Sequence, residues 1–122
     1  MRFTDINEEH WAYEAIQHGI ENKYTNGYED GSFRPNGDIT RAEFCAIVAR
    51  RDPEFDRNTL YYTQFADCTG YEWFTSYISF CYQRGYITAY STGEGKSKEF
   101  RPNQAITREE AAVALASTIK EV

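Results

Sequence analysis

Ile39-Thr40-Arg41-Ala42-Glu43-Phe44 is the stretch that decides the fold of this chain. A Thr followed three residues later by a Glu forms a capping box. The Thr hydroxyl accepts a hydrogen bond from the N3 backbone N–H, and the Glu carboxylate accepts one from the N-cap N–H. Ile39 and Phe44 flank the box at N′ and N4, the two positions that form a hydrophobic staple. The stretch therefore predicts that a helix begins directly after Thr40.

Arg41 is the residue of this stretch that helix capping does not explain. It falls at N1, where the partial positive charge of the helix dipole disfavours a cation. The free N–H groups of a helix N-terminus, by contrast, favour anions. We therefore interpret Arg41 as an anion-binding residue, and we expect Arg41→Ala to weaken anion binding while barely altering stability.

The same pattern returns later in the chain as Ile106-Thr107-Arg108-Glu109-Glu110-Ala111. Earlier landmarks recur 62 residues on, as Trp11 does at Trp73, and later ones recur 67 residues on, as Arg34 does at Arg101. The second copy therefore carries five additional residues in its central loop. We conclude that the chain consists of two copies of one unit.

We predict a first copy over residues 1–51, a connector over 52–64 and a second copy over 65–122, each copy with a helix–loop–helix pattern. A unit of about 60 residues is marginal alone, so the two copies are expected to share a core. We predict a first helix that is capped by Asn7 or a neighbour and ends near residue 22. Its apolar stripe consists of Trp11, Ala15, Ile16 and Ile20.

In the second copy we expect helices over 71–84 and 108–120. Gly85 is suited to end the former in the left-handed conformation. The residues of the latter that we expect to face the core are Ala111, Ala112, Leu115 and Ile119. Turn dipeptides and Pro35 predict a loop over residues 24–38, with a strand-like piece at Phe33 and Arg34. The predicted fold class is mainly α.

Composition excludes several classes of function. A net charge of −6 over 122 residues argues against nucleic-acid binding, which requires a basic surface. The sequence has no run of about 18 apolar residues, so no membrane insertion is expected. The first copy begins at Phe3, so we expect any export leader to be absent from this chain. The three cysteines lack zinc-site spacing, and we predict buried or half-buried free thiols with no metal and no cofactor.

Four motifs of the first copy resemble the S-layer homology (SLH) motif. They are Phe3-x-Asp5, His10-Trp11-Ala12 with Ala15-Ile16, Gly27-Tyr28-x-Asp30-Gly31-x-Phe33-Arg34-Pro35-Asn36, and the capping stretch itself. The second copy is similar more loosely, and together the two cover nearly the whole chain. The resemblance implies a non-catalytic module that attaches exported proteins to the bacterial cell wall, and hence an extracellular location.

The resemblance also implies an assembly of three units in a pseudo-trimer with grooves between neighbours. With two copies present, the third unit would come from a repeat outside this chain or from a homo-oligomer; otherwise the two copies form a smaller arrangement. The grooves of the family take a secondary cell-wall polysaccharide, often bearing a pyruvate ketal, whose acid meets the arginine of Thr-Arg-Ala-Glu. The candidate glycan-binding residues are Trp11, Gly27, Tyr28, Arg34, Arg41, Trp73, Tyr90, Arg101 and Arg108.

The chemistry of these residues suits such a ligand, because an Arg offers a bidentate fork for a carboxylate and the aromatic rings offer stacking surfaces. Several of these candidate residues also have an alternative role in which they stabilise the fold and do not contact a ligand. The two Trp residues lie on apolar stripes and are expected to be at least half in the core. Arg34 and Arg101 are alternatively braces for their loops. Tyr28 and Tyr90 are either exposed platforms or hydrogen-bonded core residues.

The second copy departs from the motif and is expected to hold the weaker site. Gly27 is replaced by Ala89, which would be strained if this position needed a positive φ. Ala42 is replaced by Glu109, which places a negative charge beside Arg108. Asp30-Gly31 has no counterpart in the longer loop.

The sequence also bears on three other functions. The acidic loop lacks the ligand order of an EF-hand, which argues against calcium. No carboxylate is flanked by an apolar run that would raise its pKa, which argues against a glycosidase. No Ser-His-Asp or Cys-His pattern occurs in both copies, which argues against catalysis generally. The serious alternative is a protein–protein interaction module of a surface protein.

Overall fold

The computed structural model describes residues 3–118, and its four α-helices are α1 (Tyr13–Glu21), α2 (Arg41–Arg51), α3 (Thr75–Gln83) and α4 (Arg108–Ser117). Within that range the backbone forms no β-strand. Two isolated antiparallel bridges pair Thr40 with Ala105 and Tyr90 with Glu99. The mainly α fold class is confirmed, and the strand-like piece expected at Phe33 and Arg34 is absent from the described residues.

Both capping boxes are formed as predicted. Thr40 Oγ1 accepts a hydrogen bond from the Glu43 N–H at 3.1 Å, and Glu43 Oε1 accepts one from the Thr40 N–H at 3.0 Å. In α4 the corresponding distances between Thr107 and Glu110 are 3.0 and 3.3 Å. Both helices begin at the residue after the Thr, because the box satisfies N–H groups that the first turn leaves free.

The helices α1 and α3 begin later than predicted. They start at Tyr13 and Thr75, and neither has a side-chain hydrogen bond at its N-cap. Trp11 and Trp73 therefore lie two residues before a helix rather than on its apolar stripe, with 92% and 61% of their surfaces exposed. The expectation that these rings belong at least half to the core is wrong, because the backbone turns them outward before the helix begins.

The described chain forms two compact units, divided between Asp38 and Ile39. The first, here called the N-terminal unit, contains α1 and the loop after it. Its small core consists of Phe3, Ile6 and Ile16, with Phe33 among the residues packed against it. The division falls inside the first sequence copy.

The C-terminal unit contains the other three helices, and α2 of the first copy packs against α3 of the second. Their shared core includes Cys45 and Val48 from α2 and Ile78 and Cys81 from α3. A helix of one copy is thus buried with the other copy, as the expected shared core requires. All three cysteines are free thiols; Cys45 and Cys81 are buried and Cys68 is half-buried.

The face that α4 buries differs from the predicted one. Ala114 is 2% exposed, whereas Leu115 is 45% exposed and Ala112 also faces solvent. Ala111 packs against the core as expected, one helical turn from Ala114. The prediction for Ala112 and Leu115 is wrong because α4 contacts the core through the neighbouring face, and Ile119 lies outside the described residues.

Two further features are absent from residues 3–118. No helix in this range has the length and apolar character that crossing a bilayer requires. The same residues contain no group of three or more His, Cys, Asp or Glu side chains arranged to hold a metal ion.

Candidate functional site

In each copy an Asp side chain fixes the loop that carries the Arg-Pro-Asn segment. Asp5 accepts hydrogen bonds from the backbone N–H groups of Phe33 at 2.8 Å and of Arg34 at 2.7 Å. The Phe33 N–H, together with that of Arg34, holds the pKa of Asp5 below its ordinary value. Asp67 binds the corresponding N–H groups of the second copy at 2.9 and 2.8 Å. The recurrence of this Asp was visible in the sequence, but its partners were not.

The loop held by each Asp has the same unusual backbone in both copies. Arg34 has a φ of 60° and Arg101 a φ of 58°, a left-handed conformation that is uncommon for residues other than glycine. From this conformation the Arg34 guanidinium lies over the Tyr28 ring, 3.7 Å from its centroid. The Arg101 guanidinium lies 3.9 Å from the centroid of Tyr90. The structure therefore brings four of the predicted site residues together as two Tyr–Arg pairs.

The pair in the N-terminal unit is open to solvent. Tyr28 is 38% exposed, and the Arg34 side chain is 51% exposed. Arg34 Nε donates to Ser32 Oγ at 3.1 Å, and Nη2 donates to Asp30 Oδ2 at 3.2 Å. Hydrogen bonds from the Ser32 hydroxyl and N–H, with a further one from Arg34, lower the pKa of Asp30 to about 2. Arg34 thus both braces its loop and presents an exposed cation on an aromatic ring.

Gly27 lies next to this pair, in a cleft of about 360 Å³ that Tyr28, Phe3 and Ile20 also line. A Cβ at Gly27 would overlap the Phe3 ring and approach the Ser32 carbonyl oxygen at 2.9 Å. The described positive-φ residues do not include Gly27. The glycine is therefore required by close approach of the Phe3 ring, and the concern that a positive φ would strain Ala89 in the second copy does not apply.

Arg41 is buried, with none of its surface exposed. Its Nε donates to the Phe100 carbonyl oxygen at 2.9 Å, and its Nη2 donates to the Thr88 carbonyl oxygen. Its Nη1 forms an ion pair with the Glu110 carboxylate, and the guanidinium lies 4.8 Å from the centroid of the Tyr90 ring. In this conformation a ligand carboxylate would reach Arg41 only by displacing Glu110.

The backbone N–H groups that open α2 are also occupied. The Arg41 N–H donates to the Gln104 carbonyl oxygen at 2.9 Å, and the Ala42 N–H donates to that of Pro102 at 3.0 Å. The helix start predicted to bind an anion is therefore packed onto a loop of the second copy. Because Arg41 is fully buried in this contact, we now expect Arg41→Ala to lower stability, in place of the sequence-based expectation that it would barely alter it.

Glu110 has two roles: it is the glutamate of the capping box that begins α4, and it forms the ion pair with Arg41. Burial alone would raise its pKa, but the Thr107 N–H, the Arg41 charge and the Tyr90 hydroxyl outweigh burial and hold the pKa below its ordinary value. The Tyr90 hydroxyl donates to Glu110 Oε2 at 3.1 Å. Of the two alternatives for the tyrosines, Tyr90 is thus the hydrogen-bonded one and Tyr28 the exposed platform.

Three predicted site residues stand apart from these contacts. Arg108 is exposed and has no hydrogen-bonding or ionic partner within residues 3–118. Trp11 stacks on His10 with ring centroids 6.0 Å apart, and Trp73 lies edge-on to Phe74 at 5.4 Å. No ring contact of the described chain joins either Trp to a Tyr–Arg pair.

The family model described as the S-layer homology domain matches residues 2–45 and 64–112. The chain therefore belongs to the S-layer homology domain family, as the resemblance of its motifs predicts. The two matched regions correspond to the two copies read from the sequence.

Similar proteins include bacterial anchoring, surface-layer and enzyme sequences. The chain is 35% identical over 118 residues to a cellulosome-anchoring protein of Acetivibrio thermocellus, covering 94% of this chain and 25% of that protein. It is 31% identical over 123 residues to a surface-layer 125 kDa protein of Lysinibacillus sphaericus, covering 100% and 10%. It is 34% identical over 108 residues to an amylopullulanase of Thermoanaerobacterium thermosulfurigenes, covering 88% and 5%. The chain thus spans a quarter or less of these relatives.

Proposed function

We propose that this chain anchors a larger protein to the bacterial cell wall by binding an acidic wall polysaccharide, without catalysing a reaction. Its family membership and its relatives among anchoring and surface-layer proteins assign it to the cell surface, which confirms the predicted extracellular location. Where a relative is named as an enzyme, the similarity covers only 5% of that protein. We therefore attribute attachment, rather than reaction, to this chain.

The observation that supports the acidic ligand best is the exposed Tyr28–Arg34 pair. An aromatic face suits the apolar side of a sugar ring, and a guanidinium suits a carboxylate such as that of a pyruvate ketal. Two of the three guanidinium nitrogens of Arg34 are bonded to Ser32 and Asp30, which leaves Nη1 for a ligand. The adjacent cleft at Gly27 offers space for a sugar.

The Tyr90–Arg101 pair is proposed as a second subsite. Arg101 Nε lies 3.5 Å from a Glu99 carboxylate oxygen, and its side chain is 41% exposed. The Arg41 guanidinium lies 4.8 Å from the centroid of Tyr90, and it contacts a ligand only where the acid of that ligand replaces Glu110. The exposed Trp11, Trp73 and Arg108 are proposed as peripheral glycan contacts.

Calorimetric titration with protein-free wall polysaccharide tests the proposal. Arg34→Ala should lower the affinity about tenfold or more, because it removes a charge-assisted contact. Arg34→Lys should recover part of the loss, since an ammonium lacks the planar fork. Arg101→Ala should have a smaller effect, and removing the acidic groups of the glycan should abolish the difference between wild type and Arg34→Ala.

Arg57→Ala is the matched control, because Arg57 is an exposed arginine of the connector with no partner among the described residues. It should bind as the wild type does. Equal affinities for wild type and an Arg34→Ala/Arg101→Ala double variant would refute the acid-binding pairs. Absence of binding to the protein-free polysaccharide would favour the protein–protein interaction module instead.

A further inference from the structure

We propose that the Cys45 and Cys81 thiols are a disulfide-forming pair, which joins α2 of the first copy to α3 of the second when the chain folds in an oxidising environment. The proposal is independent of the glycan. It rests on the contact between the two side chains, on the packing of the two helices that carry them, and on the extracellular location of the protein.

The Cys81 thiol lies against Cys45 inside the core of the C-terminal unit. Its Sγ donates a hydrogen bond to the Cys45 carbonyl oxygen at 3.5 Å, across the contact between the two helices. A hydrogen bond with the Cys45 side chain, followed by burial, raises the pKa of Cys81. Both residues are 1% exposed. The two thiols therefore occupy adjacent positions in the core.

The two helices are suited to such a bond because small residues surround the thiols. On α2 the buried residues near Cys45 include Ala42, Ala46 and Ala49, and on α3 Ser79 has no exposed surface. Packed helices have axes about 8–10 Å apart and Cα atoms about 2.3 Å from each axis, so small facing residues bring Cα atoms within about 4–6 Å. A disulfide spans Cα atoms about 4.4–6.8 Å apart.

The third cysteine lies in a different environment. Cys68 is half-buried, and its Sγ lies 3.6 Å from Asp67 Oδ1. Burial, followed by the Asp67 charge, raises the pKa of Cys68 to about 12, so little of it is the thiolate that attacks a disulfide. No hydrogen bond of residues 3–118 joins Cys68 to Cys45 or Cys81. Cys68 is thus the thiol left over when the other two pair.

Bond formation is a two-electron oxidation, and the electron acceptor is a low-molecular-weight disulfide of the glutathione class. The thiolate of one cysteine attacks it, which releases one small thiol and leaves a mixed disulfide on the protein. The thiolate of the other cysteine attacks the protein sulfur of that mixed disulfide and releases the second small thiol. The two protons lost by the protein thiols are taken up by the two released thiols. Disulfides persist outside the cell, where the family places this chain.

Burial determines when the exchange takes place. A thiolate must be accessible to attack, and the folded chain exposes neither sulfur. The bond therefore forms in the incompletely folded chain, and packing of α2 on α3 then shields it from small thiols. It closes a loop over residues 46–80, which contains the connector and Asp67. Closing a loop stabilises the folded chain mainly by restricting the unfolded one.

Refolding the whole chain from urea, in a buffer of oxidised and reduced glutathione, tests the proposal. The thiols counted in denaturant should fall from three in the reduced wild type to one, and peptide mapping should identify the link between Cys45 and Cys81. The oxidised form should melt about 10 °C above the reduced form. By linkage, the bond should be about a hundredfold harder to reduce in the folded chain than in urea.

Cys68→Ala is the matched control, which should lose two thiols and gain the same melting temperature as the wild type. Cys45→Ala and Cys81→Ala should each keep both remaining thiols and melt at the same temperature in oxidising and reducing buffer. Each comparison is made within one variant, so any destabilisation by the substitution itself cancels. A refolded wild type that keeps three thiols, a bond to Cys68, or an oxidised form no more stable than the reduced one would overturn the proposal.

Discussion

The two Thr-Arg-x-Glu helix starts have nearly the same sequence and the same capping geometry, yet their arginines lie in opposite environments. Arg41 is enclosed by two carbonyl oxygens and a carboxylate, whereas Arg108 is exposed and has no partner in the described chain. The difference arises from what packs on each helix start. The loop over residues 100–104 and the Glu110 carboxylate contact the start of α2, whereas Arg108 at the start of α4 is exposed. A capping box therefore specifies where a helix begins, whereas the segment that packs against the helix start determines whether its arginine is buried or exposed.

The largest expected effect separates the two arginines. Arg41→Ala removes the fully buried partner of the half-buried Glu110 carboxylate and the donor to the carbonyl oxygens of Phe100 and Thr88. We therefore expect it to lower the free energy of unfolding by about 3 kcal/mol, the lower end of the range for breaking a buried pair. Arg108→Ala changes an exposed residue and should alter the free energy of unfolding by about 0.5 kcal/mol or less. Urea denaturation at a concentration where the chain is monomeric measures the free energy of unfolding of both variants. Similar decreases in the two variants would contradict the proposed difference between the two arginines.

A smaller effect compares the two capping threonines. Replacing an N-cap Thr by Ala costs about 0.5–2 kcal/mol. The cost of Thr40→Ala should lie at the upper end of this range, because Thr40 is half-buried and α2 contributes to the larger core. Thr107→Ala should fall at the lower end, because Thr107 is exposed. Thermal melts of both variants, with Thr→Ser as the control that keeps the hydroxyl, check the order; unchanged melts would contradict the capping argument.

The smallest effect is a pH dependence that belongs to the contact of α2 with α4. Since the pKa of folded Glu110 lies below its ordinary value of 4.5, its ionised form stabilises the folded chain above that pH. This stabilisation is lost as the pH falls below 4.5 and through the lower folded pKa. We therefore expect the stability difference between wild type and Glu110→Gln to be constant near neutrality and to shrink in acid.

Glu43→Gln is the matched control for this measurement, because Glu43 is the box carboxylate of α2 and forms no ion pair within residues 3–118. Denaturation curves across the acid range compare the two variants. A Glu110→Gln difference that does not change with pH would show that the ion pair with Arg41 contributes nothing to stability.

Much of the local structure was predictable from sequence because it depends on neighbours in the chain. The capping boxes, the left-handed Gly85 after α3 and the mainly α class all follow from short-range backbone chemistry. The late starts of α1 and α3 were missed because helical spacing of apolar residues continues through Trp11, although its backbone is not helical there. The buried face of α4 was missed because periodicity identifies an apolar face but not whether a partner covers it.

The sequence by itself determined the family, the two copies and the residue types of the candidate site, since repetition and motif order are properties of the chain alone. The tertiary structure decided which of those residues face solvent. It buried Arg41 against Glu110, exposed Tyr28 under Arg34, and assigned the Gly27 requirement to the Phe3 ring. These outcomes depend on contacts between segments far apart in the chain, and the spacing of residues in a sequence does not specify such contacts.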